Sequence, residues 1–406
     1  MIRELYQVIT HEVCLNVTVG RVDSVRKKNI TKSGCRVYED GCIGVAGCLG
    51  QPTEETWAEA VRALDRKVAS PGPITGKTRH RDLREGSMAP EEFLAKVQKL
   101  LDILGEEYPD FVLSNKARMI EIEERLSNDA GLDYFTANRG YELSIVVKQV
   151  GSPNVFDTAL FQQSRTFDFD RWLAEARQVL SAHRNLLDMP EGKEQLFLTS
   201  VTGGDGLAGL GVLYRALNGQ MYQSGASLFQ GKLGEKLFDE RVTISGDYTG
   251  EQSLFASFFD AEGVTVEGDK VSFIEKGVFK ALQTDRKYAA LLGTESTGCA
   301  GGAYDDAPSL AGQTLWVEPT GTLAELTAGK DAIVINTASG GDWTDEGNFA
   351  TPVQCAYLYR DGALVGRLPE FHMTVTLDEL FGKRFVGASA DKFLGERALA
   401  FTGTIL

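Results

Sequence analysis

The side chains able to do chemistry are few and scattered. Three acid pairs lie close in sequence: Asp239/Glu240, Asp260/Glu262 and Asp305/Asp306. Paired carboxylates do acid–base work when their surroundings drive their pKa values apart. On the turns of an acidic chain such pairs are ordinarily solvated or bound to backbone N–H groups, and these read as turn residues. His11-Glu12 opens like a zinc-protease helix, but Leu15 and Asn16 stand where a second histidine would fall, and the valines around it read as strand. The four histidines, His11, His80, His183 and His372, are dispersed, and none neighbours another donor at ligand spacing. The cysteines at 14, 35, 42, 48, 299 and 355 form no Cys-x-x-Cys and no zinc-ribbon spacing. No Gly-x-Ser-x-Gly elbow marks a nucleophilic serine.

Two glycine-rich stretches imitate nucleotide loops. Gly204-Asp205-Gly206-Leu207-Ala208-Gly209 follows a strand-like segment and precedes a helical one, as a dinucleotide fingerprint requires. The acid that should bind ribose some twenty residues on is absent: Gln223-Ser224-Gly225-Ala226 stands there. Gly72-Pro73-Ile74-Thr75-Gly76-Lys77-Thr78 is one residue short of a phosphate loop, and Pro73 removes an N–H donor. Both read as turns.

The elements around these residues predict an α+β chain. Apolar and polar residues partly alternate over 12–25, with a turn expected at Lys27-Lys28-Asn29. Cys35–Glu39 and Cys42–Ala46 flank Asp40-Gly41, a hairpin signal. Thr53 caps a helix with Trp57, Val61 and Leu64 on one face, and a second helix spans 91–104. Residues 67–90, rich in proline and glycine, read as a linker. Strands are expected at 111–114, 118–126, 133–137 and 141–150, with turns at 128–131 and 138–140, then a helix at 170–187. From Gln195 on, short strands dominate: 195–201, 240–245, 254–259, 271–275, 313–318, 331–335, 352–359 and 363–367. Runs of strands after a mixed first half argue against a parallel βαβ sheet. The division is a mixed domain at 1–190, with antiparallel sheet and helices, and a β-rich domain at 191–406.

Composition bounds the function. The chain has 406 residues, 43% hydrophobic, and a formal charge of −15. A chain this long buries roughly three-quarters of its unfolded surface and needs no disulfide or metal to fold. The negative charge speaks against nucleic acid and anionic membranes as partners. No stretch of 18 apolar residues and no leader peptide is evident, so the expectation is a cytoplasmic protein with reduced cysteines.

One ordered series of segments carries a resemblance. It comprises Phe258-Phe259-Asp260-Ala261-Glu262-Gly263-Val264, Ile274-Glu275-Lys276-Gly277-Val278-Phe279, Thr284-Asp285-Arg286 and Leu292-Gly293-Thr294-Glu295-Ser296-Thr297-Gly298. With Gly34-Cys35-Arg36-Val37-Tyr38-Glu39-Asp40-Gly41 upstream, this order resembles the TldD/PmbA family, once labelled modulators of DNA gyrase. The likeness covers roughly 17–66 and 110–385.

The resemblance implies a cytoplasmic proteolytic system built as a dimer around a cavity. It implies that active subunits hold zinc with a helical His-Glu-x-x-x-His and a later cysteine. Here the corresponding stretch, Leu207 to Asn218, has no His, Glu or Cys, and no cysteine follows Cys355. The chain therefore resembles the PmbA (TldE) branch. The implied role is a non-catalytic subunit that binds no cofactor itself, zinc being expected only in a catalytic partner. Its partners would be a TldD-type subunit, or itself as a dimer, and unfolded peptide. The motif residues Asp260, Glu262, Gly263, Gly277, Asp285, Ser296, Thr297 and Gly298 are then structural. The alternatives are a homodimeric peptide-binding scaffold and an enzyme with an unmarked site, perhaps at Asp260 and Glu262.

Overall fold

A computed structural model describes residues 1–86, 88–192, 194–202 and 207–405. It is α+β, with antiparallel pairing dominant. The first half contains β1 (Ile2–Thr18), β2 (Arg21–Glu39), β3 (Cys42–Leu49), α1 (Glu54–Ala63), β4 (Val68–Ala69) and β5 (Thr78–Leu83). It continues with α2 (Pro90–Glu107), β6 (Phe111–Asn128), β7 (Asp133–Gln149), β8 (Thr158–Ser164) and α3 (Phe169–Arg184). The sheet order is β4-β3-β2-β1-β6-β7-β5, and β8 also borders β7. The hairpin at Asp40-Gly41 forms as expected, with Glu39 opposite Cys42. So does the α1 cap: Thr53 Oγ1 accepts the Thr56 N–H at 3.3 Å, and the Thr56 hydroxyl accepts the Thr53 N–H at 3.3 Å.

The second half contains β9 (Glu194–Ser200), α4 (Leu210–Ala216), α5 (Gly219–Gln223), β10 (Ile244–Asp247), β11 (Lys270–Glu275), β12 (Val278–Phe279) and α6 (Arg286–Leu292). Then come β13 (Ala300–Gly301), β14 (Ser309–Leu310), β15 (Leu315–Val317), α7 (Leu323–Thr327), β16 (Ala332–Ala338), β17 (Asn348–Arg360), β18 (Ala363–Arg367), β19 (Phe371–Thr376), β20 (Phe385–Phe393) and β21 (Glu396–Thr404). One sheet runs β18-β17-β16-β9-β21-β20, with β19 on β17, and a smaller one runs β12-β11-β10-β15.

Among the described residues two large hydrophobic cores form, beside two small clusters. One buries α4 and the small sheet against Phe197, Phe371 and Phe401. The other starts under α2 and α3, with Phe93, Leu100, Trp172 and Val179. It continues into the second half through Leu198, Val334 and Tyr357.

Several sequence expectations fail for physical reasons. Lys27–Asn29 do not turn: they lie inside β2, paired with β1 from Val13 to His11. Their polarity is that of a solvated strand. The expected linker at 67–90 contains β5, parallel to β7. Its apolar positions are replaced by arginines that bind the second half, which removes the strand signature. Asn138-Arg139-Gly140 is not a turn but the middle of β7. Asn138 is buried and donates to the Ala256 carbonyl at 3.3 Å. Likewise Phe111–Asn128 is one strand, where two segments were expected. Residues 254–259 form no strand: Phe258 and Phe259 wedge into Tyr134 as irregular chain. The strands at 371–376, 385–393 and 396–404 were not anticipated. The fingerprint-like glycines Gly204 and Gly206 lie outside the described residues.

Candidate functional site

The acid pair of the motif begins in a turn between β10 and β11. Asp260 Oδ1 accepts the N–H groups of Glu262 and Val264, each at 2.9 Å, and Oδ2 accepts that of Ala300 at 3.0 Å. Gly263 adopts φ 81°, a left-handed value that suits glycine. Burial pushes the Asp260 carboxyl up to about 7, against the pull of its N–H donors. Both oxygens are engaged by backbone, which leaves this carboxylate committed to holding its loop.

Glu262 reaches onward, its Oε2 accepting the Arg286 N–H at 2.9 Å. The neighbouring Asp285 caps α6 and takes the Tyr288 N–H at 2.7 Å. Ser296, Thr297 and Gly298 fold back on Thr284. The Thr284 N–H donates to Thr297 Oγ1 at 2.8 Å, and the Thr297 N–H donates to Thr284 Oγ1 at 3.1 Å. Ser296 Oγ donates to the Thr284 carbonyl at 3.3 Å. Tyr248, buried at the base, donates to the carbonyls of Thr297 and Gly298 at 2.6 and 2.8 Å. Burial raises the Cys299 thiol beside it to about 11, so it is an inert core thiol. Gly277 stands apart in the β11–β12 turn. Its φ is 75°, and a Cβ there would lie 2.3 Å from the Phe238 carbonyl oxygen.

The residues that hold this knot in place come from the first sheet, and sequence reasoning gave them no role. Arg36, 1% exposed, donates to Glu4 Oε1 at 3.4 Å and to the Ala261 carbonyl at 2.5 Å. Tyr38 donates to the same Glu4 oxygen at 2.9 Å. Arg79 on β5 pairs with both oxygens of Asp269, and its guanidinium lies 4.3 Å from the Phe258 ring centroid. Arg81 donates to the carbonyls of Tyr248 and Ala256 at 2.6 and 2.7 Å. The alternation Arg79-x-Arg81 was the available signal: period two places both on one strand face.

A cavity of about 450 Å³ opens where the two halves meet. Tyr38, Ile43 and Gly72 border it from the first half, and Glu262, Asp285 and Asp306 from the second. Burial, then the Asp285 charge, raises the Glu262 carboxyl above its usual range. Such a wall can hold a cationic group or pass a proton.

Among the described residues the stretch that would hold a catalytic metal does not fit one. In α4, Val212, Leu213 and Ala216 are buried in apolar core, and the helix carries no donor for zinc. Among the described residues no three of His, Cys, Asp and Glu gather as a metal site. His11, His80 and His183 each bond a polar neighbour, Asn29, Asp133 and Tyr357, at 3.0 Å.

Residues 206–401 match the model of the PmbA/TldA metallopeptidase C-terminal domain. Over those residues the chain carries the C-terminal domain of the PmbA/TldD family. A metalloprotease of Archaeoglobus fulgidus is 25% identical over 384 residues, 87% of this chain and 84% of that protein. An uncharacterized protein of Methanocaldococcus jannaschii is 30% identical over 160 residues, 38% of this chain. That match spans 36% of the relative's length. Crystalline TldE from Thermococcus kodakarensis superposes with a TM-score of 0.80 at 18% identity, covering 100% of this chain and 96% of that one. This last likeness is one of fold. Among the described residues no helix is long and apolar enough to cross a membrane.

Proposed function

We propose that this chain is the metal-free subunit of a TldD-type metallopeptidase that works on unfolded peptide. It would pair with a subunit carrying His-Glu-x-x-x-His. One observation carries the reading: residues 207–218 offer no His, Glu or Cys, and α4 buries apolar side chains in the core. The shared C-terminal domain supplies the class of activity, and the likeness to TldE supports the silent role. In this reading the chain contributes walls, and the chemistry belongs to the partner.

The test is co-purification from the native cytosol, followed by peptidase assays on the isolated chain and on the reconstituted pair. The expected result is a stoichiometric partner with the zinc motif. Activity should be lost on chelation and absent from the isolated chain. Metal-dependent peptidase activity of the isolated chain would overturn the reading. A self-dimer with no such partner would favour a scaffold.

A further inference from the structure

A second cavity, of about 380 Å³, lies between α3, β8 and the strands β9 and β16. Its walls are mostly apolar, with Leu143, Leu160, Val179, Leu198, Val334 and Ile335 among them. Two polar side chains on this wall are unusual. Gln162, 4% exposed, gives its amide N–H to Glu175, and its Oε1 has no partner among the described residues. Trp172, fully buried, has an indole N–H with no partner either. Each unmet buried group costs on the order of 1–3 kcal/mol. One is an acceptor and the other a donor, and both belong to residues lining the same space. A void of this size, with mostly apolar walls and a few polar groups, has the character of a ligand site.

We propose that this cavity binds a small apolar molecule carrying an amide. An amide presents one C=O and one N–H on adjacent atoms. With both side chains turned toward the cavity, the C=O would take the Trp172 N–H, and the N–H would satisfy Gln162 Oε1. This site shares no residue with the cavity at Glu262 and does not depend on the peptidase reading.

The probe is N-acetyl-leucinamide, titrated into the full chain by calorimetry and by tryptophan fluorescence. The expected result is saturable binding with a Kd of about 1 mM or tighter. The fluorescence change should disappear in Trp172→Phe, and affinity should fall at least about tenfold in Gln162→Leu, where the acceptor is lost. Ala176→Leu, which fills the cavity, should abolish binding. Ala159→Leu fills it from β8 and serves if the first variant does not fold. No saturable binding at about 20 mM probe, or unchanged binding in both filled variants, would overturn the proposal. So would a crystal structure in the probe's presence showing only ordered water at Gln162 and Trp172.

Discussion

At the scale of single residues, buried polar groups set the pH behaviour. His183 is 2% exposed, and its Nδ1 lies 3.0 Å from the Tyr357 hydroxyl, which itself donates to Thr158 Oγ1 at 2.8 Å. Nδ1 is therefore the protonated nitrogen, and Nε2 is buried without a partner among the described residues. Burial, then the Arg367 charge, lowers its pKa to about 4. The unfolded chain takes up this proton near 6.5, so the stabilising contribution is complete above that pH and is lost as pH falls toward 4. The span corresponds to about 3 kcal/mol. Urea titrations from pH 7.5 to 4 should show that decline, and His183→Gln should flatten it. An equally steep decline in the variant would refute the assignment. Asp260 makes a second residue-level case. In Asp260→Asn an amide N–H would face one of three backbone donors. The expected loss is about 2–4 kcal/mol, read as a lower Tm. The sequence showed that this residue stood before a turn glycine, but not that the Ala300 N–H would reach it from forty residues away.

At the scale of elements, the decisive contact joins a strand to a loop. Arg36 on β2 bonds both Glu4 on β1 and the carbonyl of Ala261. In Arg36→Met the buried Glu4 carboxylate loses its cation, at a cost of about 3–5 kcal/mol. The double variant Glu4→Gln, Arg36→Met should recover part of that loss, and a thermodynamic cycle over the four proteins measures the coupling. Strict additivity would mean that the pair does not act as a unit. Close approach is a separate element-level constraint. A Cβ on Gly34 would lie 1.9 Å from the Tyr304 carbonyl oxygen. Gly34→Ala should therefore lift the 304 loop off the sheet and raise its hydrogen exchange, while α2 exchanges as before. The hairpin, α1 and α2 were legible because local turn chemistry and helical period specify them. β5 was not, because its side chains answer to the second half and not to a sheet face. The interior of β7 read as a turn for the same reason: Gly140 leaves space for Leu254 and Phe255.

At the scale of the whole molecule, the two halves share one apolar cluster. Leu143, Trp172 and Val179 lie in it with Leu198, Val334 and Tyr357. Urea unfolding followed by fluorescence and by circular dichroism should give one coincident transition. Two well-separated transitions would show that the shared cluster is weak. The α+β class was readable from the succession of elements. The assembly of the second half was not, because β9 is flanked by β16 and β21, strands more than a hundred residues away in the chain.

The clamp on the 248–269 loop also bears on how the chain matures. Arg36, Arg79 and Arg81 belong to strands synthesised well before the carbonyls and the carboxylate they bind. At roughly 5–20 residues per second, Ala261 leaves the peptidyl-transferase centre about five to twenty seconds after the first sheet's final strand. During that interval Arg79 and Arg81 have no loop to receive them, while Arg36 already has Glu4 beside it in the first sheet. Docking of the later segment is thus a long-range step, slow by its sequence separation. The nascent first half keeps that strand face unpaired until its own loop arrives.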